Sequence, residues 1–435
     1  MAKVALETVG CRLNQYETER LAGELAELGL HRVSYDEKAD LYILNTCTVT
    51  GRADADCRKL IHRARRLNDH AIIVVVGCYV VSKPEEIAEL DGVDLAIGND
   101  QKMHLAELLL ERYPELFSRP RLLADATASP LANPNGQEGG GYRPEANRAL
   151  VKIGDGCNQE CSYCIVPKVR GRQVWFPQEG ILDEVKRLVD DGYHEVVLTA
   201  VHVGKYAYTG MDLARLIERI LSDTSLSRLR LSSVESNELN ERLIEYVAHH
   251  PRVCRHLHLP LQSGSNRILK MMRRPYTREK YLNLVETVKG ANPDITIGCD
   301  LIVGFPGEAD DDFAQSLDAL RAGGIDYGHI FSYSDRPGTA ASAFPDKVGS
   351  AIIKERNRQA REICRDNRIR QMERQIGKVL AVISEHTPNR HGGYNGISDN
   401  YLKVRLPKSS GGKRDIIQFE PAFVVADHLE GEVVP

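Results

Sequence analysis

The chain has 435 residues, of which 42% are apolar and 27% are charged, an ordinary globular composition that excludes bulk disorder, collagen and coiled coil. The net charge of −4 does not by itself indicate a nucleic-acid partner, which would require local basic patches. No apolar run approaches the ~18 residues that span a bilayer and the first residues lack signal-peptide architecture, so we expect a cytoplasmic protein with no membrane partner.

Residues 1–125 alternate strand and helix signals. Short apolar runs predict strands at 4–9, 41–45, 71–76 and 94–97. Helical spacing of apolar residues predicts helices at 16–28, 55–67, 84–90 and 105–113. The repeated strand–helix order predicts a doubly wound parallel sheet, and therefore an α/β domain. Residues 126–147 are rich in glycine and proline and have no periodicity, which indicates a linker.

Residues 148–345 alternate in the same way. Strands are predicted at 149–153, 195–200, 228–234, 256–261, 296–303 and 326–333, with helices such as 181–190, 212–221 and 278–289 between them. Six such units predict an open or partial (β/α) barrel. A basic helix over 348–374 is followed by short strands and turns over 377–435, which predict a small all-β barrel.

The predicted organisation is therefore a multidomain α/β protein. Its parts are an amino-terminal domain at 1–125, a linker at 126–147, a central barrel domain at 148–375 and a small β-barrel domain at 376–435. We expect the last domain to be a separate module, so that its removal would not destroy the sites in the rest of the chain.

Ten cysteines are the most informative residues of the composition. A disulfide framework is not expected in a reducing compartment, so spacing must distinguish core residues from nucleophiles and metal ligands. Cys157, Cys161 and Cys164 follow the first strand of the predicted barrel, at the strand end where such folds place their chemistry. Three thiolates on one loop can hold three irons of a [4Fe–4S] cube and leave the fourth iron open to a small molecule. A zinc site would need a fourth ligand nearby, and three buried structural thiols do not suit a loop rich in glycine and asparagine.

A second set of three cysteines lies in the amino-terminal domain. Cys11, Cys47 and Cys78 each come just after a predicted strand, and the carboxyl ends of parallel strands meet at one edge of a sheet. The second set is therefore predicted to converge on one site, the alternative being three unrelated loop or core cysteines. The remaining four lack this placement and are interpreted as structural: Cys57, Cys254, Cys299 and Cys364.

The C-x3-C-x-aromatic-C spacing after a first barrel strand resembles the radical S-adenosylmethionine (SAM) superfamily, with Tyr163 in the aromatic position beside the adenine site. Two three-cysteine sites in this order resemble the methylthiotransferases, and the resemblance covers essentially the whole chain. The segments that carry it include GCRLNQYETE, NTCTVT, VVVGCY, GCNQECSYCIVPKVRGR, RHLHLPLQSGS and IGCDLIVGFPGE.

The resemblance implies a definite set of cofactors and partners. It implies two [4Fe–4S] clusters, one auxiliary cluster on Cys11, Cys47 and Cys78 and one SAM-binding cluster on the central triplet. It implies SAM both as methyl donor and as radical source, and a reductant such as flavodoxin or ferredoxin. It also implies a carboxyl-terminal TRAM (OB-like) barrel and the anticodon stem-loop of tRNA as substrate.

Two segments narrow the choice among possible substrates. VHVGKY and SSVE resemble the branch that methylthiolates C2 of N6-threonylcarbamoyladenosine at tRNA position 37. The alternatives are isopentenyl-adenosine at the same position, an aspartate of a ribosomal protein, and a non-enzymatic iron–sulfur protein that binds RNA. A threonylcarbamoyl group brings a carboxylate, for which the cations near the barrel mouth are candidates: Lys168, Arg170 and Lys205.

Strand parity predicts SAM contacts in the barrel. The alternating segment RHLHLPLQ places polar residues on one face: His256, His258, Pro260 and Gln262. Asp300 shares a face with Gly298 and Gly304, and these glycines would permit close approach of a ligand. Glu235 closes the third strand. We predict that Glu235, Gln262 and Asp300 surround SAM, and we leave the two histidines unassigned.

The chain carries three basic segments that favour an RNA partner. The first segment contains Arg267, Lys270, Arg273, Arg274 and Arg278. The second is the helix at 350–378, which has nine basic and four acidic residues. The third, in the predicted β-barrel, contains Lys403, Arg405, Lys408, Lys413 and Arg414. The chain departs from the family after Arg172, where QVWFP stands in place of the further arginine and serine residues that are common there. This removes positive charge that could bind phosphate and weakens the case for RNA contact at that loop. Trp175, the only tryptophan, is predicted to pack and not to stack on a base.

Overall fold

The structure is a computed structural model that describes residues 1–118, 144, 146–389, 393–408 and 414–435. Most of the predicted linker at 126–147 lies outside these residues. Within them, no helix has the length and apolarity needed to cross a membrane.

The amino-terminal domain is built on a five-stranded parallel sheet with strand order β2-β1-β3-β4-β5. Its strands are β1 (Lys3–Thr8), β2 (His31–Val33), β3 (Leu41–Thr46), β4 (Ile72–Gly77) and β5 (Leu95–Ile97). Its helices are α1 (Arg12–Glu27), α2 (Gly51–Leu67), α3 (Cys78–Ser82), α4 (Pro84–Ala88) and α5 (Leu105–Arg112). Separate apolar clusters cover the two faces of the sheet, one with α1 and α5 and the other with α2 and α4. The doubly wound prediction is therefore confirmed.

Two elements of this domain were not predicted. Strand β2 is a polar three-residue edge strand, so it has no apolar run that would reveal it. Helix α3 begins directly at Cys78, and its five residues are too few to show helical periodicity.

The central domain contains six parallel strands that form a curved, open barrel. They are β6 (Arg148–Lys152), β9 (Glu195–Thr199), β12 (Arg228–Leu231), β13 (His256–His258), β14 (Thr296–Val303) and β15 (Tyr327–Ser332). They pair as two three-stranded sheets, and parallel bridges at Leu229–Val253 and Ser233–His258 join β12 to the segment containing β13. The order around the sheet is therefore β6-β9-β12-β13-β14-β15, and the predicted partial (β/α) barrel is confirmed.

Helices cover the outside of this barrel, and short strands decorate its loops. The helices are α6 (Val166–Arg170), α7 (Gln178–Asp190), α8 (Leu213–Asp223), α9 (Glu241–His249), α10 (Asn266–Met271), α11 (Arg278–Ala291), α12 (Asp310–Arg321) and α13 (Ser350–Glu373). The short strands are β7 (Gly154–Asp155), β8 (Val174–Trp175), β10 (Ala207–Tyr208) and β11 (Met211–Asp212). Leu257, Leu259 and Leu261 are fully buried against the helices, as strand parity predicts.

The carboxyl-terminal segment forms a closed five-stranded barrel, as predicted. Its strands are β16 (Leu380–Pro388), β17 (Tyr394–Ser398), β18 (Lys403–Leu406), β19 (Ile416–Val425) and β20 (His428–Val433), in the order β16-β17-β18-β20-β19. Leu380, Val404 and Phe419 are fully buried in its core.

This barrel is joined to the central domain by a buried ion cluster. Glu195 is completely buried and accepts hydrogen bonds from Arg228 at 2.6 Å and from Arg230 at 2.7 Å. The same two arginines donate to four backbone carbonyl oxygens of the carboxyl-terminal barrel, those of Ala381, Ile397, Ser398 and Asp399. Removing the barrel would leave two buried guanidinium groups without these acceptors, which is energetically costly.

Candidate cluster and cofactor cavity

One cavity of about 1110 Å³ lies between the amino-terminal sheet and the mouth of the central barrel. All six predicted ligand cysteines line it: Cys11, Cys47, Cys78, Cys157, Cys161 and Cys164. The four predicted SAM contacts line the same cavity: Tyr163, Glu235, Gln262 and Asp300. The fold therefore brings together residues that come from two domains and are up to 289 positions apart (300 − 11).

The amino-terminal cysteines are placed by the ends of three adjacent strands. Cys11 follows β1, Cys47 follows β3 and Cys78 follows β4, at the carboxyl edge of the sheet. Gly10 has a φ of +132°, and a Cβ there would lie 2.7 Å from the Cβ of Cys47. Only glycine therefore fits between the first two cysteines.

Neighbouring groups orient these thiols. The backbone N–H of Val49 donates to the Sγ of Cys47 at 3.4 Å, and the side-chain amide of Asn99 donates to the Sγ of Cys78 at 3.4 Å. Burial raises the pKa of Cys47 to about 12, and the proximity of Cys11 and Cys78 contributes in the same direction. A cation that binds here therefore displaces protons from the thiols, because only thiolates are strong ligands.

Replacement of Gly10 by alanine should empty this amino-terminal site. The new methyl group meets the Cβ of Cys47, which is close to the backbone and cannot swing aside, and alanine is strained at this φ. We expect the iron content after anaerobic reconstitution to fall from about eight to about four per chain, measured by colorimetric iron assay.

The matched control is Gly192→Ala. Gly192 also has a positive φ, of +82°, but a Cβ there meets nothing within 4 Å. This variant should keep about eight irons. Full iron content in Gly10→Ala would show that the three cysteines do not depend on this close approach.

A buried ion network lies behind the amino-terminal cysteines and joins them to the central domain. Glu17 accepts hydrogen bonds from Lys102 at 2.5 Å, from Lys152 at 2.8 Å and from Arg170 at 3.1 Å. Arg170 also pairs with Asp155 at 3.0 Å, and its side chain is only 3% exposed. Arg170 is therefore held by carboxylates, which contradicts its candidacy for the substrate carboxylate.

The two other candidates for that carboxylate do not line the cavity in the described part of the chain. Lys205 lies 3.9 Å from Glu238, and Lys168 lies on α6 beside Gly338. Sequence reasoning missed the ion network because its members come from α1, β6 and three other segments. A partial signal was the spacing of Cys11, Asn14 and Glu17, which places Asn14 and Glu17 on the same side of α1.

The central cysteines occupy a loop that turns back sharply after β6. Gly156 has a φ of +68°, and a Cβ there would lie 2.1 Å from the carbonyl oxygen of Arg172. The backbone N–H of Gln159 donates to the Sγ of Cys157 at 3.3 Å. The guanidinium of Arg274 donates to the Sγ of Cys161 at 3.2 Å.

Burial and charge act in opposite directions on these thiols. Burial raises the pKa of Cys164 to about 12. Burial also raises the pKa of Cys157, but the hydrogen bond and charge of His202 outweigh it and leave that pKa below its usual value. Burial lowers the pKa of His202, while its hydrogen bonds to Cys157 and Glu238 raise it to about 9. Neither Arg274 nor His202 was predicted at this site, because each comes from a different barrel loop.

The predicted SAM contacts line the same cavity as the central cysteines. Tyr163 packs with Ile268, Met272 and Phe305 in a small apolar cluster. Glu235 is ion-paired with Arg274, the same arginine that contacts Cys161.

The other two predicted contacts come from β14 and from the segment that pairs with it. Asp300 lies 3.0 Å from the Nε2 of His258. Gln262 has a φ of +65°, an unusual conformation for a residue with a side chain, and strained backbone of this kind is concentrated at binding sites.

The interpretation of the barrel glycines is wrong. A Cβ at Gly298 would lie 2.1 Å from the ring of Tyr327, and one at Gly304 would lie 2.3 Å from Ile353. These glycines therefore admit side chains of the protein and not a ligand. His256, which was unassigned, donates to or accepts from the hydroxyl of Tyr327 at 2.8 Å and stacks on the ring of Tyr401 at 4.2 Å.

The donor set of the cavity suits iron–sulfur clusters. The described residues contain no group of three or more His, Cys, Asp or Glu side chains placed to hold a single metal ion. A [4Fe–4S] cube makes a different demand, because each cysteine binds a separate iron and the thiols surround the cluster. Two sets of three soft thiol ligands, each on glycine-containing loops, fit that demand.

The remaining cysteines are buried away from this cavity. Cys57, Cys254, Cys299 and Cys364 all lie within the protein core, and none of them lines the cavity among the described residues. Trp175 packs edge-on against Tyr206 with ring centroids 5.6 Å apart and over Gly154, so the packing prediction is confirmed.

The basic segments carry less free charge than their sequences indicate. Several of their cations are paired with carboxylates: Arg267 with Asp312, Arg274 with Glu235, Arg356 with Glu308, Arg358 with Glu355, Lys403 with Asp427 and Arg405 with Glu430. Lys270 and Arg273 remain exposed at the barrel mouth, and Lys413 lies outside the described residues. The charge count alone therefore overstated the basic surface.

Comparisons with known proteins agree with this geometry. Residues 151–320 match the Radical SAM superfamily, and residues 3–98 match the uncharacterized protein family UPF0004. The threonylcarbamoyladenosine tRNA methylthiotransferase MtaB of Aquifex aeolicus is 36% identical over 409 residues, which cover 93% of this chain and 96% of that protein. The tRNA-2-methylthio-N(6)-dimethylallyladenosine synthase of Pelotomaculum thermopropionicum is 33% identical over 454 residues, which cover 100% of this chain and 94% of that protein.

A solved structure shares the fold. The radical SAM methyltransferase TsrM from Kitasatospora setae, with cobalamin and a [4Fe–4S] cluster bound, superimposes with a TM-score of 0.56 at 17% identity. The match covers 78% of this chain and 77% of that one.

Proposed function

Since the chain belongs to the family of radical SAM tRNA methylthiotransferases, we propose that it methylthiolates C2 of N6-threonylcarbamoyladenosine at position 37 of tRNA. The coarser activity follows from membership: the protein is a transferase that methylthiolates tRNA with SAM and two [4Fe–4S] clusters. We propose three further points: the identity of the modified adenosine, the roles of the individual residues, and a reductant of the flavodoxin or ferredoxin class.

The observation that carries the proposal is the single cavity lined by both sets of cysteines. A methylthio transfer needs the sulfur source and the site of C–H cleavage to reach one carbon atom. The cavity places the carboxyl edge of the amino-terminal sheet directly against the mouth of the barrel. The adenine must leave its stack to enter, and the anticodon loop makes this inexpensive because its bases are already single-stranded.

We assign the residues of the cavity accordingly. Cys11, Cys47 and Cys78 hold the auxiliary cluster, and Cys157, Cys161 and Cys164 hold the SAM-binding cluster. Tyr163, Glu235, Gln262 and Asp300 contact SAM. When bound, these groups supply the sulfur, the methyl group and the radical chemistry that opens an unactivated C–H bond.

The protein's own side chains provide orientation and charge. Arg274 links Cys161 to Glu235, so one guanidinium fixes a ligand thiol and a SAM contact together. Arg170 lies close to Cys11 and Cys78, and Glu17 and Asp155 hold its guanidinium in that position. The apolar packing around Tyr163 excludes water from that side of the cavity.

Two features favour the threonylcarbamoyl substrate over the dimethylallyl one. The segments VHVGKY and SSVE resemble the threonylcarbamoyl branch of the family. The barrel side of the cavity is lined by arginine, histidine, tyrosine and aspartate, whereas a dimethylallyl group needs an apolar slot.

The substrate can be tested with anticodon stem-loops that carry either modification, incubated with SAM, sulfide and a reductant. We expect methylthiolation of the threonylcarbamoyl stem-loop, with the dimethylallyl stem-loop at least ~10²-fold slower, because a site built for polar groups leaves them unpaired against an apolar substituent. Nucleoside mass spectrometry detects either product. Methylthiolation of the dimethylallyl form alone would overturn this assignment and leave the enzyme class intact.

A further inference from the structure

Five arginines line the cavity among the described residues: Arg12, Arg32, Arg148, Arg170 and Arg274. Three of them are paired with carboxylates, namely Arg32 with Glu19, Arg170 with Glu17 and Asp155, and Arg274 with Glu235. Arg12 and Arg148 form no ion pair within the described part of the chain. Arg148 lies opposite Glu195 in the register of the parallel sheet, but that one carboxylate already pairs with Arg228 and Arg230, so among the described residues neither Arg12 nor Arg148 has a carboxylate of its own.

These two arginines meet at one residue of the carboxyl-terminal barrel. Arg12 donates from its Nη2 to the hydroxyl of Tyr401 at 3.2 Å, and Arg148 lies close enough to act on Tyr401 electrostatically. Burial raises the pKa of Tyr401, but the charges of Arg12, Arg148 and Arg230 outweigh it and leave the pKa below its usual value. Tyr401 lines the cavity as well, so all three residues border the same cavity.

The backbone at Tyr401 is strained in a way that serves this position. Tyr401 has a φ of +64°, which is costly for a bulky residue. Its ring is fixed by stacking on His256 and by the guanidinium of Arg230, 5.3 Å from the ring centroid. The fold therefore maintains an unfavourable conformation that holds this hydroxyl against Arg12.

A half-buried guanidinium without a carboxylate of its own is destabilising, so its presence at a cavity wall indicates an anionic ligand. A guanidinium pairs best with a planar carboxylate, to which it donates two parallel hydrogen bonds, and a phenol adds a third. The threonylcarbamoyl group carries such a carboxylate several bonds away from C2. A base whose C2 faces the cysteines thus needs its anion partner elsewhere in the cavity.

Arg148 and Arg12 satisfy this requirement. Arg148 is the first residue of β6, whereas the central cysteines follow the last residue of that strand, so the strand's length of roughly 13 Å separates them. We propose that Arg12, Arg148 and the hydroxyl of Tyr401 form the subsite that binds the carboxylate of the threonylcarbamoyl group. This inference rests on the proposed function and assigns its substrate specificity to residues from all three domains.

The experiment compares two anticodon stem-loops, one with the threonylcarbamoyl acid and one with its methyl ester. The measured quantity is the ratio of kcat/KM for acid over ester, together with the Kd of each stem-loop. For the wild-type protein we expect a ratio of about 100, because the ester leaves the two arginines without their anion. Arg148→Gln and Arg12→Gln should each bring the ratio close to 1, and Tyr401→Phe should lower it several-fold.

Arg32→Gln is the matched control, since Arg32 lines the same cavity but is already neutralised by Glu19; it should keep the wild-type ratio. Arg148→Lys, which keeps the charge, should recover part of the preference. Iron content and Tm identify any variant that has lost its fold, in which case the lysine variant provides the test.

The outcomes are distinguishable. If the arginines bind an RNA phosphate, the Arg12→Gln and Arg148→Gln variants will lose turnover equally on the acid and the ester stem-loop. Their acid-to-ester ratio of kcat/KM will then stay near 100, which overturns the subsite. If the wild-type protein shows no preference for the acid over the ester, the subsite is also wrong while the proposed function stands. If the wild-type protein methylthiolates only the dimethylallyl stem-loop, the proposed function itself fails, and the subsite fails with it.

Discussion

Replacing Cys157, Cys161 and Cys164 together by alanine is expected to abolish SAM cleavage. The three thiols line the cavity beside all four proposed SAM contacts, and Arg274 ties one of them to Glu235. Without them the protein has no ligands for the SAM-binding cluster, so the electron that cleaves SAM has no route to it. Iron content should fall from about eight to about four per chain, and the 5′-deoxyadenosine formed under reductant should fall to background.

The matched variant replaces Cys11, Cys47 and Cys78 by alanine. It should also retain about four irons, but it should still cleave SAM without transferring a methylthio group. The two triple variants thus separate the roles of the two sites, although all six thiols share one cavity. An amino-terminal triple variant that keeps about eight irons would show that the second cluster site has been assigned to the wrong residues.

Replacing Glu195 by glutamine is expected to be the most destabilising single substitution considered. The side chains of Glu195 and Arg230 are 0% exposed, and Arg228 is almost as buried. Glutamine keeps the volume but removes the one negative charge between two guanidiniums, and breaking a buried pair in this way costs about 3–5 kcal/mol. We expect Tm to fall by on the order of 10 °C, measured by differential scanning fluorimetry.

The same cluster predicts an acid sensitivity. Burial raises the pKa of Glu195, but Arg228 and Arg230 outweigh it and hold the pKa well below its usual range. Because the folded pKa lies below the unfolded one, the stabilisation is fully present above about pH 4.3 and is lost as the pH falls from there towards the folded pKa. The Tm difference between the wild-type protein and Glu195→Gln should therefore narrow below about pH 4.

Glu218→Gln is the control for this prediction. Glu218 pairs with Arg242, but the side chains are 58% and 43% exposed, so water and salt screen the interaction. Its Tm should match that of the wild-type protein. A Glu195→Gln variant as stable as this control would mean that the two arginines are satisfied by the backbone carbonyl oxygens of the barrel alone.

Much of the architecture could be read from local patterns. Strands β3 and β4 consist mostly of apolar residues because a parallel sheet buries both faces, and this property appears directly in the sequence. The positions of Cys11, Cys47 and Cys78 just after three strands predicted a common edge, because strand direction alone determines which ends meet. Their placement on one cavity agrees with this expectation, while their role as cluster ligands stays a prediction.

Short or polar elements escaped the same reasoning. Strand β2 forms because it pairs with β1, and its own sequence contains no apolar run that would predict a strand. The glycines at 298 and 304 were assigned to a ligand because a missing side chain reveals space but not what fills it, and here Tyr327 and Ile353 fill it.

The sequence by itself determined the order of the domains, the two sets of three cysteines and the family. Only the tertiary structure decided which charges are available. Arg170 looked free in the sequence, yet Glu17 and Asp155 neutralise it; Arg228 and Arg230 bind the carboxyl-terminal barrel through carbonyl oxygens that belong to residues more than 150 positions away. Tyr401 reaches Arg12 across 389 positions of the chain. Periodicity and spacing report burial along one segment, whereas the balance of a charge depends on partners that only folding brings within hydrogen-bonding distance.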